Sequence, residues 1–569
     1  MFNNKFFFLF NNYKMFKATQ SGVYVPSKSQ SVKPDVVSDV SPMEQIRLLI
    51  PSFVGFVDPQ ESYLKCSVKL NNVRGQPVPD PAAGINSLFR NWICRDGSNT
   101  ATLETLEDYN AMVGSINHFT EQSSIQHIRE LFNGVQETEN RAEASLYYGG
   151  PPDISAASAA APQSLKRSTT TPQIQFRPML GCMSNQVVPV NLMNGLRMSI
   201  DTEDTNRALR YLTNDGSDQN KSVKAGTAKT LNTDDARTGT AGNGQQWFTM
   251  ATDISTANGL NLNPFSVDDI LYCSLPDNTQ EQVLGVIVGF FIAANVINIS
   301  YVPQRAVGAN NGNTHTVTAG TNVVYYKFTD RQIAHTGLLG KTDEGIATGA
   351  GTGTLNVLAP TYTLSNIEYL VQSVNPPQAY VEGMLKKATT DQGISMDYLS
   401  CDLFRHNQSN KQGIVQAQIP TLATRGKSVI SQPLPVDWYR DISKSSLSGV
   451  PDKARNYQFV WGSNLIPSRP AELSRYSQEL PRNEALHTNE LQKALININK
   501  VVYNLQKINE NFIIARGFNK YGQITNFSEK TLSLRVDYNA DAEYTKIFNN
   551  YVWSLRRVTI AKGIVSVMN

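Results

Sequence analysis

The residues best spaced for chemistry are His335-Thr336-Gly337-Leu338-Leu339-Gly340-Lys341-Thr342. A phosphate-binding loop needs G-x-x-x-x-G-K-[ST], because its backbone amides wrap the phosphates while the lysine reaches them. Here His335 stands where the first glycine is required. The stretch that follows, 343–353, is glycine-rich rather than helical, so no helix N-terminus is expected to hold a phosphate. Gly349-Ala350-Gly351-Thr352-Gly353 lacks dinucleotide spacing and reads as a flexible loop.

Other reactive residue types are scattered. The six histidines, His118, His127, His315, His335, His406 and His487, form no H-x-x-x-H or H-x-H pair, so no metal site is expected. The five cysteines, Cys66, Cys94, Cys182, Cys273 and Cys401, include no C-x-x-C pair. That spacing predicts neither a zinc site nor a disulfide framework, but buried small hydrophobes in a reducing compartment. Arg95 follows Cys94 and a cation favours thiolate, yet Trp92 and Ile93 mark the place as a strand end. No G-x-S-x-G elbow is present. Glu104 with Glu107, and Asp201 with Glu203, are paired carboxylates that read as solvated faces or turns, where no burial drives their pKa values apart. Sequons at Asn220, Asn298, Asn407 and Asn526 carry little weight without a secretory signal. Trp438-Tyr439 beside Asp437 is the best candidate for stacking on a sugar. No catalytic, cofactor-binding or metal-binding residue is assigned, no cofactor is expected, and the chain reads as a non-enzyme. Carboxylates distant in sequence that converge in the fold are the remaining route to catalysis.

The elements that would have to position any site are strands. Leu64, Cys66, Val68 and Leu70 alternate with Lys65, Ser67 and Lys69, and the same period recurs at Leu196 to Ile200, Val415 to Ile419 and Leu532 to Val536. Side chains of a strand point to opposite faces in turn, so each segment predicts half-buried antiparallel sheet. Further strands are expected at 174–176, 269–273, 283–301, 323–328, 362–371, 394–401, 427–431, 457–461 and 557–567. Two helices are predicted from apolar spacing over 103–116 and 125–135, and a longer one over 491–512, with Thr488 or Asn489 at its start and Gly517 at its end. The stretches 149–171 and 214–245 read as long polar loops.

At 569 residues, two to four domains are expected. Charged residues make up 17%, against roughly 25% in an average soluble protein, and the net charge of +3 argues against a dedicated nucleic-acid binder. A weakly charged surface costs less to desolvate than a highly charged one, which suits extensive subunit contacts. Phe6-Phe7-Phe8-Leu9-Phe10 is too short for a signal-peptide core. The apolar stretch 283–302 is long enough to span a bilayer at about 20 residues. Gly285, Gly289, Asn295, Asn298 and Ser300 interrupt it, and two strands joined near Ala293-Ala294-Asn295 fit better.

Many short strands with long polar connections predict a mainly β chain of two jelly-roll β-sandwich domains in tandem, with a few inserted helices and long loops. Residues 1–45 read as an N-terminal arm, 46–375 as a first jelly roll with insertions, and 376–569 as a second. In the arm, Lys5, Lys14, Lys17, Lys28 and Lys33 all precede the first acidic residue, Asp35, and Met15 is a second candidate start.

The ordered set of segments resembles the major capsid proteins of polinton-like viruses and virophages, of the double jelly-roll lineage. The segments that carry it are 56–70, Ser87-Leu88-Phe89-Arg90-Asn91-Trp92, 103–110, Asn263-Pro264-Phe265-Ser266-Val267-Asp268-Asp269, 362–377, 419–430 and 556–567. The resemblance implies homotrimers with a pseudo-hexameric outline that tile an icosahedral shell beside neighbouring capsomers, vertex proteins and minor capsid proteins. It places the chain in the virion of a DNA virus, assembled inside the host cell, with the insertions 149–171 and 214–245 decorating the outer surface or locking neighbouring subunits and the arm turned inwards towards minor proteins, genome or an internal membrane. The competing readings are a carbohydrate-binding or carbohydrate-cleaving β-sandwich protein and another viral component such as a vertex or spike protein, against which the length for two jelly rolls favours the facet subunit.

Overall fold

The computed structural model describes residues 27–36, 38–71, 77–80, 82–120, 173–184, 187–211, 361–442, 444–473, 485–502, 511–518 and 525–568, and the backbone of strand segments between 220 and 346. The first sandwich is built from β1 (Ser27–Val32), β2 (Gln45–Ile50), β3 (Phe56–Asn71), β4 (Phe89–Asp96), β5 (Thr102–Leu106), β6 (Gln173–Phe176), β7 (Leu196–Thr202) and β8 (Thr361–Val374). One sheet runs β1-β8-β3-β6 and the other β2-β7-β4-β5, every pair antiparallel. The second sandwich uses β9 (Ile394–Gln408), β10 (Gly413–Ile419), β11 (Gly426–Pro435), β12 (Ala454–Trp461), β13 (Asn464–Glu472), β14 (Ile514–Gly517), β15 (Leu532–Tyr538) and β16 (Lys546–Ala561). Its sheets run β9-β16-β11-β14 and β10-β15-β12-β13. Numbered within its own sandwich, each half therefore has the strand order 1-8-3-6 facing 2-7-4-5, which is the jelly roll. The chain is a double jelly roll.

Alternation explains the outer sheet of the second roll. Val415, Ala417 and Ile419 are buried while Gln416 and Gln418 are exposed, and across the ladder they face Val536, Leu534 and Leu532. Each such pair stacks two apolar side chains on one face of the pleat. The other sheet breaks the pattern. Residues 428–435 of β11 and 548–554 of β16 are buried without interruption. Val429, Phe548 and Val552 enter the core of the second roll, whereas Ile430, Tyr551 and Trp553 join the core of the first. These stretches are covered on both faces and carry no solvent side, whereas β9 and the end of β16 keep exposed residues such as Arg405, Asn407 and Arg557.

One helix sits at a matching place in each roll, between its fifth and sixth strands. Helix α1 (Tyr109–Thr120) lies between β5 and β6; α2 (Thr205–Ala208) is a single turn after β7; α3 (Gln378–Ala388) connects the rolls; and α4 (Ala485–Asn497) lies between β13 and β14. The first roll also carries, between β7 and β8, a sheet whose backbone order is 220–224, 323–327, 270–274, 281–293, 296–303 and 246–249. The apolar stretch 283–302 is thus two paired strands, Ala293 opposite Val296.

Several expectations are corrected. The arm predicted over 1–45 yields Ser27–Val32 to the first roll, where backbone pairing with Tyr369–Val374 holds a strand whose side chains are mostly polar. The helix predicted from Leu103 starts at Tyr109, because Leu106, Thr105 and Glu104 pair with Trp92, Ile93 and Cys94. Helix α4 ends at Asn497 rather than near Phe512, with Asn499 in the left-handed region at φ 60°. Gly517 lies in β14 instead of ending that helix, and α4 packs on its own roll, where Ser428 Oγ donates to Ala494 O at 2.9 Å. Strand 220–224 interrupts the loop expected over 214–245. The helix expected over 125–135 and the loop 149–171 lie outside the described residues.

Candidate functional site: the polar seam between the two jelly rolls

Charged groups that sequence scattered over hundreds of residues converge where the second roll packs on the first. Asp108 takes a left-handed backbone, φ 44°, immediately ahead of α1, and its amide donates to Asn91 Oδ1 at 3.2 Å. This turn aims its carboxylate out of the first roll. Arg207, from α2, donates to Asp108 Oδ1 at 3.2 Å and to Glu203 Oε2 at 2.9 Å. From the second roll, Arg405 reaches Asp108 Oδ2 at 2.6 Å and Asn549 Nδ2 donates to the same oxygen at 3.3 Å. Tyr551 Oη donates to Asp108 O at 3.3 Å. The Arg207 guanidinium also lies over the Tyr439 ring, 4.6 Å from its centroid. Asn110 Nδ2 and Tyr362 Oη complete the surround of Glu203, the first on its carboxylate at 2.7 Å and the second on its carbonyl at 2.6 Å.

The charges cancel, two carboxylates against two guanidiniums. Burial pushes the Asp108 carboxyl up, but Arg207 and Arg405 more than offset this and hold it below the ordinary carboxylate value. Asp108 is therefore held ionised, with donors from both rolls on its two oxygens. A buried network of this kind adds little net stability, since desolvation offsets the attraction, but it accepts only one geometry. It fixes how the two rolls sit against each other.

Two flanking contacts act in the same sense. Ser445 Oγ donates to Asp80 Oδ2 at 2.6 Å, and Asn511 bridges the rolls by donating to Gly114 O at 2.8 Å and accepting from Gly449 N at 2.9 Å. On the other side, Tyr398 Oη donates to Leu103 O. There the backbone of Gly181 approaches Leu399 so closely that an added Cβ would lie 1.9 Å from the Leu399 carbonyl oxygen. Next to this contact a cleft of about 460 Å³ is lined by Arg177, Lys427, Lys500 and Asp397. Asp397 is already paired with Arg425 and Arg557.

The motifs singled out from sequence do not meet at this seam. Lys341-Thr342 pairs with Gly345-Ile346 as a strand, so the backbone after the lysine is not helical, and the rest of 335–353 lies outside the described residues. Cys94 is buried within β4. His406 lies on β9 and His487 in α4, while no group of three or more metal-ligating side chains occurs among the described residues. Trp438 packs edge-on to Tyr544 and Tyr439 lies under Arg207, which takes the sugar-stacking pair apart. Glu104 and Glu203 correct the expectation of solvated carboxylates, since both are 1% exposed. Glu203 was legible in part, because Arg207 four residues on is the spacing of a helical ion pair. Asp108, Arg405 and Asn549 were missed; nothing local marks them.

No family model matches the chain, and no curated protein does. Among solved structures the chain overlaps the Faustovirus major capsid protein at 8% identity and a TM-score of 0.47, covering 95% of this chain and 91% of that one. It overlaps a quasi-atomic model of the PBCV-1 virus capsid at 7% identity and 0.45, covering 96% and 98%. The mavirus major capsid protein matches at 10% identity and 0.32, covering 97% and 93%. At these scores the overlaps add nothing to the fold, which stands on the strand order of the chain itself.

Proposed function

We propose that this protein is the major subunit of an icosahedral virus shell, in which three copies form a pseudo-hexagonal block. The observation that carries the reading is the repetition of one strand order in two rolls of a single chain, locked together by the seam. Three such chains about an axis present six sandwiches in a near-hexagonal ring. The insertion between β7 and β8 has no counterpart in the second roll, so the ring keeps threefold rather than sixfold symmetry.

Sheet edges supply a second support. Among the described strands β13 pairs only with β12, and it carries Pro467 and Pro470. Proline on an outer strand withholds an amide donor and limits uncontrolled pairing, while leaving the surface open to a matched neighbour. Residues ahead of Ser27, with Lys5, Lys14 and Lys17, are the part assigned to minor proteins, genome or membrane. The place of action is the virion, vertex and minor capsid proteins are the further partners, and no catalytic role is assigned. Sedimentation analysis of the purified chain tests the oligomer: three copies per particle are expected, and a monomer at every concentration would overturn it.

A further inference from the structure

The cleft beside Gly181 carries more positive charge than its carboxylate offsets. It encloses about 460 Å³ where the two rolls meet, within the span of roughly 300–1,000 Å³ usual for small-molecule sites. The 177–184 segment of the first roll forms one side, and β9, β11, β16 and the turn that follows α4 form the other. Asp397, the carboxylate among the described lining residues, is taken up by Arg425 and Arg557. Arg177 donates to Gln60 O. Lys427 and Lys500 are left over: among the described residues neither ammonium has an ion-pair or hydrogen-bond partner.

One helix end holds both lysines beside the cleft. Asn497, the last residue of α4, donates from Nδ2 to Lys427 O at 3.4 Å. Asn499, at φ 60°, turns the chain back, and Lys500 N donates to Leu495 O at 3.0 Å. Both lysines are half-buried, and burial lowers each ammonium from the ordinary lysine value, with the like charge of Arg425 adding to this at Lys427. A cation that has lost water without gaining a partner is costly, and an anion in the cleft would offset that cost. Met179, Ile498 and Trp553 add apolar groups to the same lining.

We infer that the cleft binds a small organic anion, with an oxyanion head, carboxylate or phosphate, on Lys427 and Lys500 and an apolar body against Met179, Ile498 and Trp553. An inorganic ion would meet the lysines and leave the apolar wall bare, and an alcohol would do the reverse. The site takes residues from both rolls of one chain, so its occupant ties the rolls together and needs no second copy. A ligand that binds only the docked rolls stabilises them by mass action.

Isothermal titration calorimetry and thermal melting of the full-length chain test this with decanoate and octyl phosphate, against acetate, inorganic phosphate and octanol. Decanoate, octyl phosphate or both should saturate at one molecule per chain and raise the melting temperature, and which of them binds tells a carboxylate head from a phosphate. Lys427→Met and Lys500→Met keep an unbranched apolar stem, and each should weaken binding by about tenfold or more. Lys562→Met, which breaks an exposed pair with Asp391, should leave it unchanged. Melting of the unliganded variants shows whether each folds, and either lysine variant decides if the other does not. Acetate or inorganic phosphate binding as tightly as the longer probes would mean an adventitious ion only. That result, equal binding of octanol, saturation by neither probe, or unchanged affinity in the folded lysine variants would each overturn the inference.

Discussion

Arg207 of the first roll lies over Tyr439 of the second, its guanidinium carbon 4.6 Å from the ring centroid, while one of its nitrogens bonds both Asp108 and Glu203. One side chain thereby neutralises two buried carboxylates and touches the opposite roll. Removing it as Arg207→Ala leaves Glu203 without a counter-charge and Asp108 with Arg405 alone. Breaking a buried pair in this way costs about 3–5 kcal/mol. Urea unfolding should show a loss of that size, with Arg207→Lys intermediate, because a lysine cannot hold both carboxylates and the ring at once. A change under about 0.5 kcal/mol would mean that the seam is solvated.

His487 gives the rolls a pH dependence. Burial lowers its pKa to about 4, with Tyr457 Oη 3.2 Å from Nδ1 and Phe512 against the ring. The unfolded chain binds the proton near its ordinary value of about 6.5, well before the folded one does. The contribution is therefore fully present above about pH 6.5 and is lost as pH falls towards 4, by at most about 3 kcal/mol. Denaturant titrations from pH 7 to 4 should show this decline, and His487→Gln should flatten that part of the curve.

Gly181 should tolerate no side chain. The Cβ of Gly181→Ala would lie 1.9 Å from a backbone oxygen of Leu399, so either the Gly181 bend or β9 has to shift. Overpacking of this kind costs about 1–3 kcal/mol. Differential scanning calorimetry should find a lower melting temperature, and limited proteolysis should cut faster near 177–184. Unchanged melting would mean that the two rolls are not in contact there.

The outer strand of the second roll should depend on its prolines. Pro470 and Arg469 are exposed on β13. Replacing both by valine restores an amide donor and removes a charge from a strand with an open side. Light scattering of the double variant should rise with time at concentrations where wild type stays clear, with little change in unfolding free energy.

How much of this was written locally varies from strand to strand. Val415 to Ile419 and Leu532 to Val536 alternate because one face of their sheet meets the core and the other does not. Strands β11 and β16 lack that signature because helix α4 and the first roll cover their second face, a fact no window of their own residues contains. Ser27–Val32 carries no apolar signature because backbone pairing, not apolar content, holds it. The same contrast governs the seam. Glu203 and Arg207 announce themselves by a four-residue spacing, whereas Asp108, Arg405 and Asn549 become partners only after two sandwiches have folded and docked.

Electron microscopy of the purified full-length chain tests the central claim most directly. Class averages should show particles with threefold symmetry and a six-lobed, nearly hexagonal outline, each pair of lobes being one chain. Single-chain particles, or rings in which each chain contributes one lobe, would contradict it.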